Sequence, residues 1–325
     1  MLRNIMCLIL LLSLCSCTGI EIEGDKIKKE NINIFKNTEA WSLAIAVKNQ
    51  DIKKIKKIAA KNPSLLNLQE PNYDVTLLIW AVGMEKYKSA EALLKCGAEP
   101  NIVADGTEKY NKYIENLLEE GGFPDGTFDV LLGETALYIA SEFSWIDNQA
   151  KKDPKYVKLL LKYGADPNIC YIGTSPIVFP PKSQNHNPNG IGYHYGGEPG
   201  TSPLMNSIRC GIEKTKALVE GGADINHKTI ETETAAVIAL RAGQNATLEG
   251  MEYARYLIVE KRANITDHYY ISRHTMMQND NPNDKFYPID LLNDWDYPIG
   301  SAEYNIKMNI IEEFERQGVA LPLTN

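Results

Sequence analysis

The sequence predicts an all-α solenoid built from stacked helix–turn–helix units. Three observations predict it. Four segments of the 325-residue chain open on Thr or Ser and close near Gly-Ala-Asp-x-Asn, an internal repeat of the kind that marks stacked architectures. Each segment holds two short apolar stretches at helical spacing with a polar turn between them. Beyond Leu14 no stretch is apolar for about 18 residues, so nothing after the N-terminus reads as a spanning helix, while a hydrophobic content of 44% supplies a core.

The N-terminal segment comes first in the chain and is set apart from the fold. Arg3 gives a short positive region, Met6–Leu12 an apolar run, and LLLSLCSC occupies 10–17. That run falls short of the roughly 20 residues needed to cross a bilayer and reads as a processed targeting segment. Leu14 stands three residues before Cys17 and the small Ser16 just before it, a pattern that resembles a bacterial lipoprotein signal peptide. The resemblance implies removal of 1–16 and lipidation of Cys17. It implies a chain anchored in the bacterial cell envelope and facing the periplasm, with Thr18 pointing to the outer membrane. Cys15 is the rival attachment point, but Leu14 before it is bulky for the small-residue slot; a plain secretory signal is the other reading. Residues 17–36 then form the lipidated Cys and a polar tether, though Ile20, Ile22, Ile27, Ile32 and Ile34 suggest that part of it packs on the first helix. Loss of Arg3 takes the net charge from −8 to −9, which argues against nucleic acid and favours a partner with a basic surface.

The repeat domain is expected over 37–325. Its units run about 38–67, 76–101, 135–168, 202–226, 234–266 and 286–322, the first and last as drifted caps. The second reads TLLIWAVGMEKYKSAEALLKCGAEPN and the fourth SPLMNSIRCGIEKTKALVEGGADIN. The opening Thr or Ser is suited to accept a hydrogen bond from an orphan helix N–H. Pro203 sits where a missing N–H costs nothing. Gly97, Gly164 and Gly222 follow the second helices and suit the left-handed residue that ends them. Leu93, Leu94, Leu159, Leu160, Leu161, Leu218 and Val219 form the face that only a neighbouring unit can bury.

These letters resemble the ankyrin repeat. Ser202, Pro203 and Leu204 match its opening; Gly164, Ala165, Asp166 and Asn168, with Gly222, Ala223, Asp224 and Asn226, match its closing turn. The resemblance implies a stiff scaffold that binds another protein on its concave face and its finger loops. Envelope lipoproteins of this type resemble immunity proteins, which neutralise secreted antibacterial toxins such as lipase effectors. An envelope adaptor or structural role, for example in oxidative-stress defence, is the alternative.

The departures from the repeat are three long insertions at the β-hairpin finger position. Asn101 to Thr135 and Asn168 to Ser202 each span 34 residues and Thr266 to Tyr287 spans 21, whereas Asn226 to Thr234 is short. Loops of such length are usually functional. In the first, Tyr110, Tyr113, Ile114, Leu117 and Leu118 predict an added helix. The second carries Tyr171, Phe179, His186, Tyr193, His194 and Tyr195, and the third Tyr269 and Tyr270. Loop aromatics serve as partner anchors, so these residues are the candidate contact set; the alternative is that they fold back on the repeats. A further insertion around Trp145–Lys152 widens the turn inside the third unit.

Chemistry is sparse. Cys96, Cys170 and Cys210 follow Cys17, and a Cys170–Cys210 bridge or buried thiols are both open. His186, His194 and Glu198 match no zinc spacing, and Pro282 breaks the ligand alternation of NDNPND at 279–284. With no nucleophile elbow, phosphate loop or zinc helix, no catalytic residue, metal or cofactor is expected. The partner is another protein, and the membrane is met through the lipid alone.

Overall fold

The computed structural model describes residues 28–119, 131–173, 177–178, 191–192, 198–244, 248–270, 281 and 283–320. The helices form antiparallel pairs that stack in chain order. Unit one pairs α1 (Trp41–Lys48) with α2 (Ile52–Lys61), and unit two α3 (Leu77–Gly83) with α4 (Tyr87–Lys95). Between units two and three lies α5 (Thr107–Glu119), the expected added helix. Unit three pairs α6 (Ala136–Ser141) with α7 (Lys155–Lys162), and unit four α8 (Pro203–Asn206) with α9 (Ile212–Glu220). Unit five pairs α10 (Ala235–Gly243) with α11 (Leu248–Ala254), which runs on as a π-helix over Arg255–Glu260. The last unit replaces its first helix with a 3-10 helix, Pro288–Asp294, before α12 (Ala302–Arg316).

The starts of the helices follow the expected chemistry. Thr76, Thr135, Ser202 and Thr234 all have extended backbone, and each hydroxyl accepts from the N–H three residues on, at 3.2, 3.2, 3.3 and 3.3 Å. The ends do so too. Gly97, Gly164 and Gly222 take φ of 97°, 87° and 93°, which a side chain disfavours. The residue after each closes the helix by donating to the carbonyl five positions back, as in Ala165 N to Leu160 O at 3.1 Å. In unit five Arg262 holds the corresponding left-handed position at φ 57°. There the closing bond runs six positions, Ala263 N to Leu257 O at 2.9 Å, because the π-turn absorbs an extra residue.

The closing Asn of each unit stitches it to the next. Asn101 Nδ2 donates to Gly164 O (3.0 Å) while its Oδ1 accepts from Asp166 N (2.8 Å). Asn168 repeats both bonds with Gly222 O (3.1 Å) and Asp224 N (2.7 Å). At the two outer junctions one bond remains: Glu99 N to Asn67 Oδ1 at 2.9 Å, and Asn264 N to Asn226 Oδ1 at 2.8 Å.

One apolar core runs the length of the stack, from Ile32 to Phe314. Small residues on the first helices, among them Ala44, Ala81, Ala136, Ala236 and Ala239, let neighbouring units approach closely. The core also takes in part of the expected tether. Ile32–Phe35 forms a 3-10 turn with Ile32, Ile34 and Phe35 buried, and Trp80 Nε1 donates to Glu30 O at 3.2 Å. Three apolar side chains in four residues are the reason this stretch packs instead of trailing in water.

Each insertion is closed at its base by a two-residue antiparallel ladder. β1 (Ala104–Asp105) pairs β2 (Leu132–Glu134), β3 (Ile177–Val178) pairs β4 (Ile191–Gly192), and β5 (Tyr269–Tyr270) pairs β6 (Lys285–Phe286). The fold is therefore the expected all-α solenoid with finger insertions. Among the described residues no helix is long and apolar enough to cross a membrane. Cys17 and the N-terminal segment before Lys28 lie outside them.

Candidate functional site

The first helices of units two, three and four lie side by side, α6 between α3 and α8. Glu134, Tyr138 and Glu142 follow one another at four-residue spacing along α6 and its flanks, so they share one side of it. Tyr138 is buried and stacks on Tyr171, ring centroids 5.8 Å apart at 22°. The Glu134 carboxylate accepts from the Leu132 N–H. Glu142 Oε1 accepts from Trp145 Nε1 at 3.1 Å, and the Glu142 carbonyl accepts from Lys214 Nζ at 3.3 Å. The Lys29 ammonium lies 5.6 Å from the Trp145 ring centroid, so the segment ahead of unit one also reaches this place.

The two half-buried carboxyls are electrostatically uneasy. Burial pushes Glu142 up to about 7, against the hydrogen bond from Trp145 and the charges of Lys29 and Lys214. Burial and then the Glu142 charge hold Glu134 well above the usual carboxylate range. Burial, followed by the charges of both glutamates, raises the Tyr138 phenol far above its usual value. A cation set against this face would let both carboxyls ionise and gain their full attraction.

A second acidic cluster lies at the base of the later fingers. Glu198 is buried; it accepts from the Thr229 hydroxyl and from Glu231 N at 2.8 Å, and burial with the nearby Glu233 and Glu231 charges pushes it up to about 7. Glu233 pairs with Arg241, whose guanidinium sits 5.1 Å from the Tyr269 ring centroid. Glu70 does similar work in the link between units one and two, accepting from the N–H groups of Asn72, Tyr73 and Val75. These carboxylates hold loops.

The candidate contact residues divide. Tyr110, Tyr171 and Tyr269 are buried: Tyr171 on Tyr138, and Tyr269 between Arg241 and Phe286, 5.9 Å from the latter ring. Tyr171 and Tyr269 lie where the chain enters an insertion, and Tyr110 on the first turn of α5; there the chain turns back onto the repeats, so these rings pack instead of projecting. Tyr113 and Tyr270 are half-buried, with His268 edge-on to Tyr270 at 5.3 Å. Phe179, His186, Tyr193, His194 and Tyr195 lie outside the described residues, as does any joint arrangement of His186 and His194 with Glu198. Among the described residues no group of three His, Cys, Asp or Glu is placed to hold a metal. Cys96, Cys170 and Cys210 are free thiols, and Cys170 Sγ meets His227 Nε2 at 3.3 Å, so Cys170 and Cys210 are not bridged.

The unit that carries Glu134, Tyr138, Glu142 and Tyr171 is also the one that comparison picks out. Residues 132–171 match the ankyrin repeat family. No curated protein matches the chain. Among solved structures it is similar to that of EF0377, an ankyrin repeat protein, at 16% identity, covering 86% of this chain and 99% of that one with a TM-score of 0.47. The family match covers one unit, residues 132–171, and the helix pairs stacked on either side of it repeat its capping hydroxyl and left-handed closing glycine; ankyrin repeats generally serve as protein–protein interaction scaffolds.

Proposed function

We propose that this chain is a membrane-anchored scaffold of the bacterial periplasm that binds a basic protein, and that it acts as an immunity protein against a secreted antibacterial toxin, a lipase effector being the example that suits an anchored blocker. The observation that carries the reading is the Glu134–Tyr138–Glu142 face, two carboxyls that burial holds above their usual range despite the nearby Lys29 charge, beside a stacked pair of tyrosines. A Lys or Arg of a partner supplies what the face lacks, and Tyr138 with Tyr171 forms a stiff platform behind it that loses little entropy on binding. The net charge of −8 adds long-range attraction for such a partner. Cys17 places the face at the envelope, and the binding itself involves no covalent step.

The test is capture of the partner by the full chain, followed by the double variant E134Q/E142Q. Truncating one side of a close interfacial charge pair costs about 2–5 kcal/mol, so capture falls by roughly 30-fold or more. Unchanged capture by E134Q/E142Q removes the acidic face from the interface. A captured protein that is harmless when made alone in the periplasm refutes the immunity role. A C17S variant that still binds but no longer protects separates the anchor from the binding surface.

A further inference from the structure

The enlarged turn of unit three builds a second feature. Phe143 bridges Ala150, and the Ser144 hydroxyl ties the turn to unit two through Glu85 Oε1 at 2.6 Å. The Trp145 ring lies on Gly83, where a Cβ would stand 2.3 Å from a ring carbon, so only glycine permits the closure. Beneath this turn, between α3, α6 and α7, lies a cavity of about 290 Å³. Val82, Ile139, Ala140, Trp145 and Tyr156 give it apolar walls. Lys214, reaching in from α9, is among its lining residues and is only 3% exposed.

Lys214 is the oddity. A lysine ammonium has three donors and is seldom buried without a counter-charge. Among the described residues this one has a single bond, the 3.3 Å contact to the Glu142 carbonyl, and no ion pair. The lysines of the mouth are answered: Lys151 pairs with Asp147, Lys152 with Glu249 at 2.6 Å, and Lys155 with Asp153 at 3.2 Å. We propose that this cavity binds a carboxylate carried on a small apolar body, with Lys214 holding the carboxylate and the Trp145, Ile139 and Val82 walls holding the body. The volume is at the lower end of small-molecule sites, about 300–1,000 Å³, and suits a group the size of one amino acid. The ligand is a monoanion because three carboxyls also line the cavity, Glu85 bonded to Ser144, Asp153 paired with Lys155, and Glu142 bonded to Trp145 and pushed by burial up to about 7; a dianion would force two more negative charges beside them. Burial lowers the Lys214 ammonium below its ordinary value, and a bound carboxylate reverses that.

Two sources offer this chemistry: a free aliphatic or aromatic acid, and the C-terminal residue of a partner chain. Isothermal titration of the full chain with N-acetyl-phenylalanine, N-acetyl-leucine and hexanoate, and with the amides of the first two, tests the site. We expect at least one acid to bind with a Kd of about 1 mM or tighter, and its amide at least about tenfold more weakly. K214M should lose that binding while its melting temperature holds or rises, because a buried unpaired charge is replaced by an apolar chain of similar length. A140L, which fills the cavity and leaves Lys214 in place, should lose it as well. Acids and amides binding alike, wild-type affinity in K214M, or no binding of any of the three acids would overturn the proposal. A short peptide ending in Phe with a free carboxyl then assigns the source: tighter binding than N-acetyl-phenylalanine marks a chain terminus, weaker binding a free acid.

Discussion

Truncation of the closing asparagines should weaken the stack in an order that the hydrogen bonds dictate. Asn168→Ala deletes two bonds between units three and four, to Gly222 O and from Asp224 N. Asn101→Ala deletes the equivalent pair between units two and three. Asn67→Ala and Asn226→Ala each delete one. A net hydrogen bond contributes about 0.5–1.5 kcal/mol, and these groups lie near water, which takes over part of the work, so the lower half of that range applies. The inner pair should therefore cost about 1–2 kcal/mol each and the outer pair about half as much. Because each unit of a solenoid touches only its neighbours, the inner losses fall on one junction and should also reduce cooperativity. Urea unfolding of the full chain followed by far-UV circular dichroism reads both quantities, the midpoint and the slope. Equal losses at Asn67 and Asn168, or a loss below about 0.3 kcal/mol at Asn168, would refute the claim that these side chains tie the units together.

Three further predictions follow from the same structure. Arg262→Gly should raise stability by about 0.5–1 kcal/mol, seen as a melting temperature higher by a degree or two, because the left-handed φ of 57° strains any residue with a Cβ. Gly243→Ala should cost about 1–3 kcal/mol, since the new methyl would stand 2.0 Å from the fully buried Trp295 ring; Gly83→Ala should cost less, because the half-exposed Trp145 ring can swing out, with a red shift in its fluorescence. The Glu142 carboxyl, raised from near 4.5 to about 7 in the folded chain, destabilises progressively as pH climbs through that window, because the unfolded chain sheds the proton first. E142Q should therefore gain melting temperature over the wild type between pH 5 and pH 8, measured by scanning calorimetry, and a constant difference across that range would contradict the assignment.

Local chemistry is what the sequence carried openly. A hydroxyl three residues ahead of an apolar run, a Gly after it, and Tyr110, Tyr113, Leu117 and Leu118 at helical spacing all act within a few residues, so the caps, the left-handed ends and α5 were legible. The closing Asn was legible as a letter but not as a tie, since its partners lie 32 to 65 residues further along. Glu134 and Glu142 read as ordinary polar residues, although their four-residue spacing with Tyr138 was a usable signal; what makes them unusual is burial in the stack beside Tyr171, with the charges of Lys29 and Lys214 brought near from distant parts of the chain. Lys214 on a second helix reads as a solvated lysine until the turn of the preceding unit closes over it. The aromatics went the other way: Tyr110, Tyr171 and Tyr269 looked available because they stand near long loops, and the short ladders at the loop bases return them to the core.

The path of the N-terminal segment links the anchor to the surface it serves. Glu30 hangs on Trp80 and Lys29 rests by Trp145, so the chain leaves the body over α3 and the enlarged turn, next to the cavity and the Glu134–Glu142 face. From Cys17 to Lys28 is 11 steps of chain, which reach at most about 40 Å when fully extended. If Cys17 is lipidated as proposed, Lys28 and the surface beside it are held within that distance of the bilayer, whereas the Trp295 end, three to four unit spacings of about 10 Å further along the stack, is free to lean away. A toxin that works at the membrane surface is then met on the near side. Inserting 20 Gly/Ser residues after Ile22 adds about 25 Å of flexible reach without touching the body. Binding measured in solution should be unchanged while protection of cells falls. Full protection with the longer tether would show that the anchor supplies an address alone and that orientation toward the bilayer has no part in function.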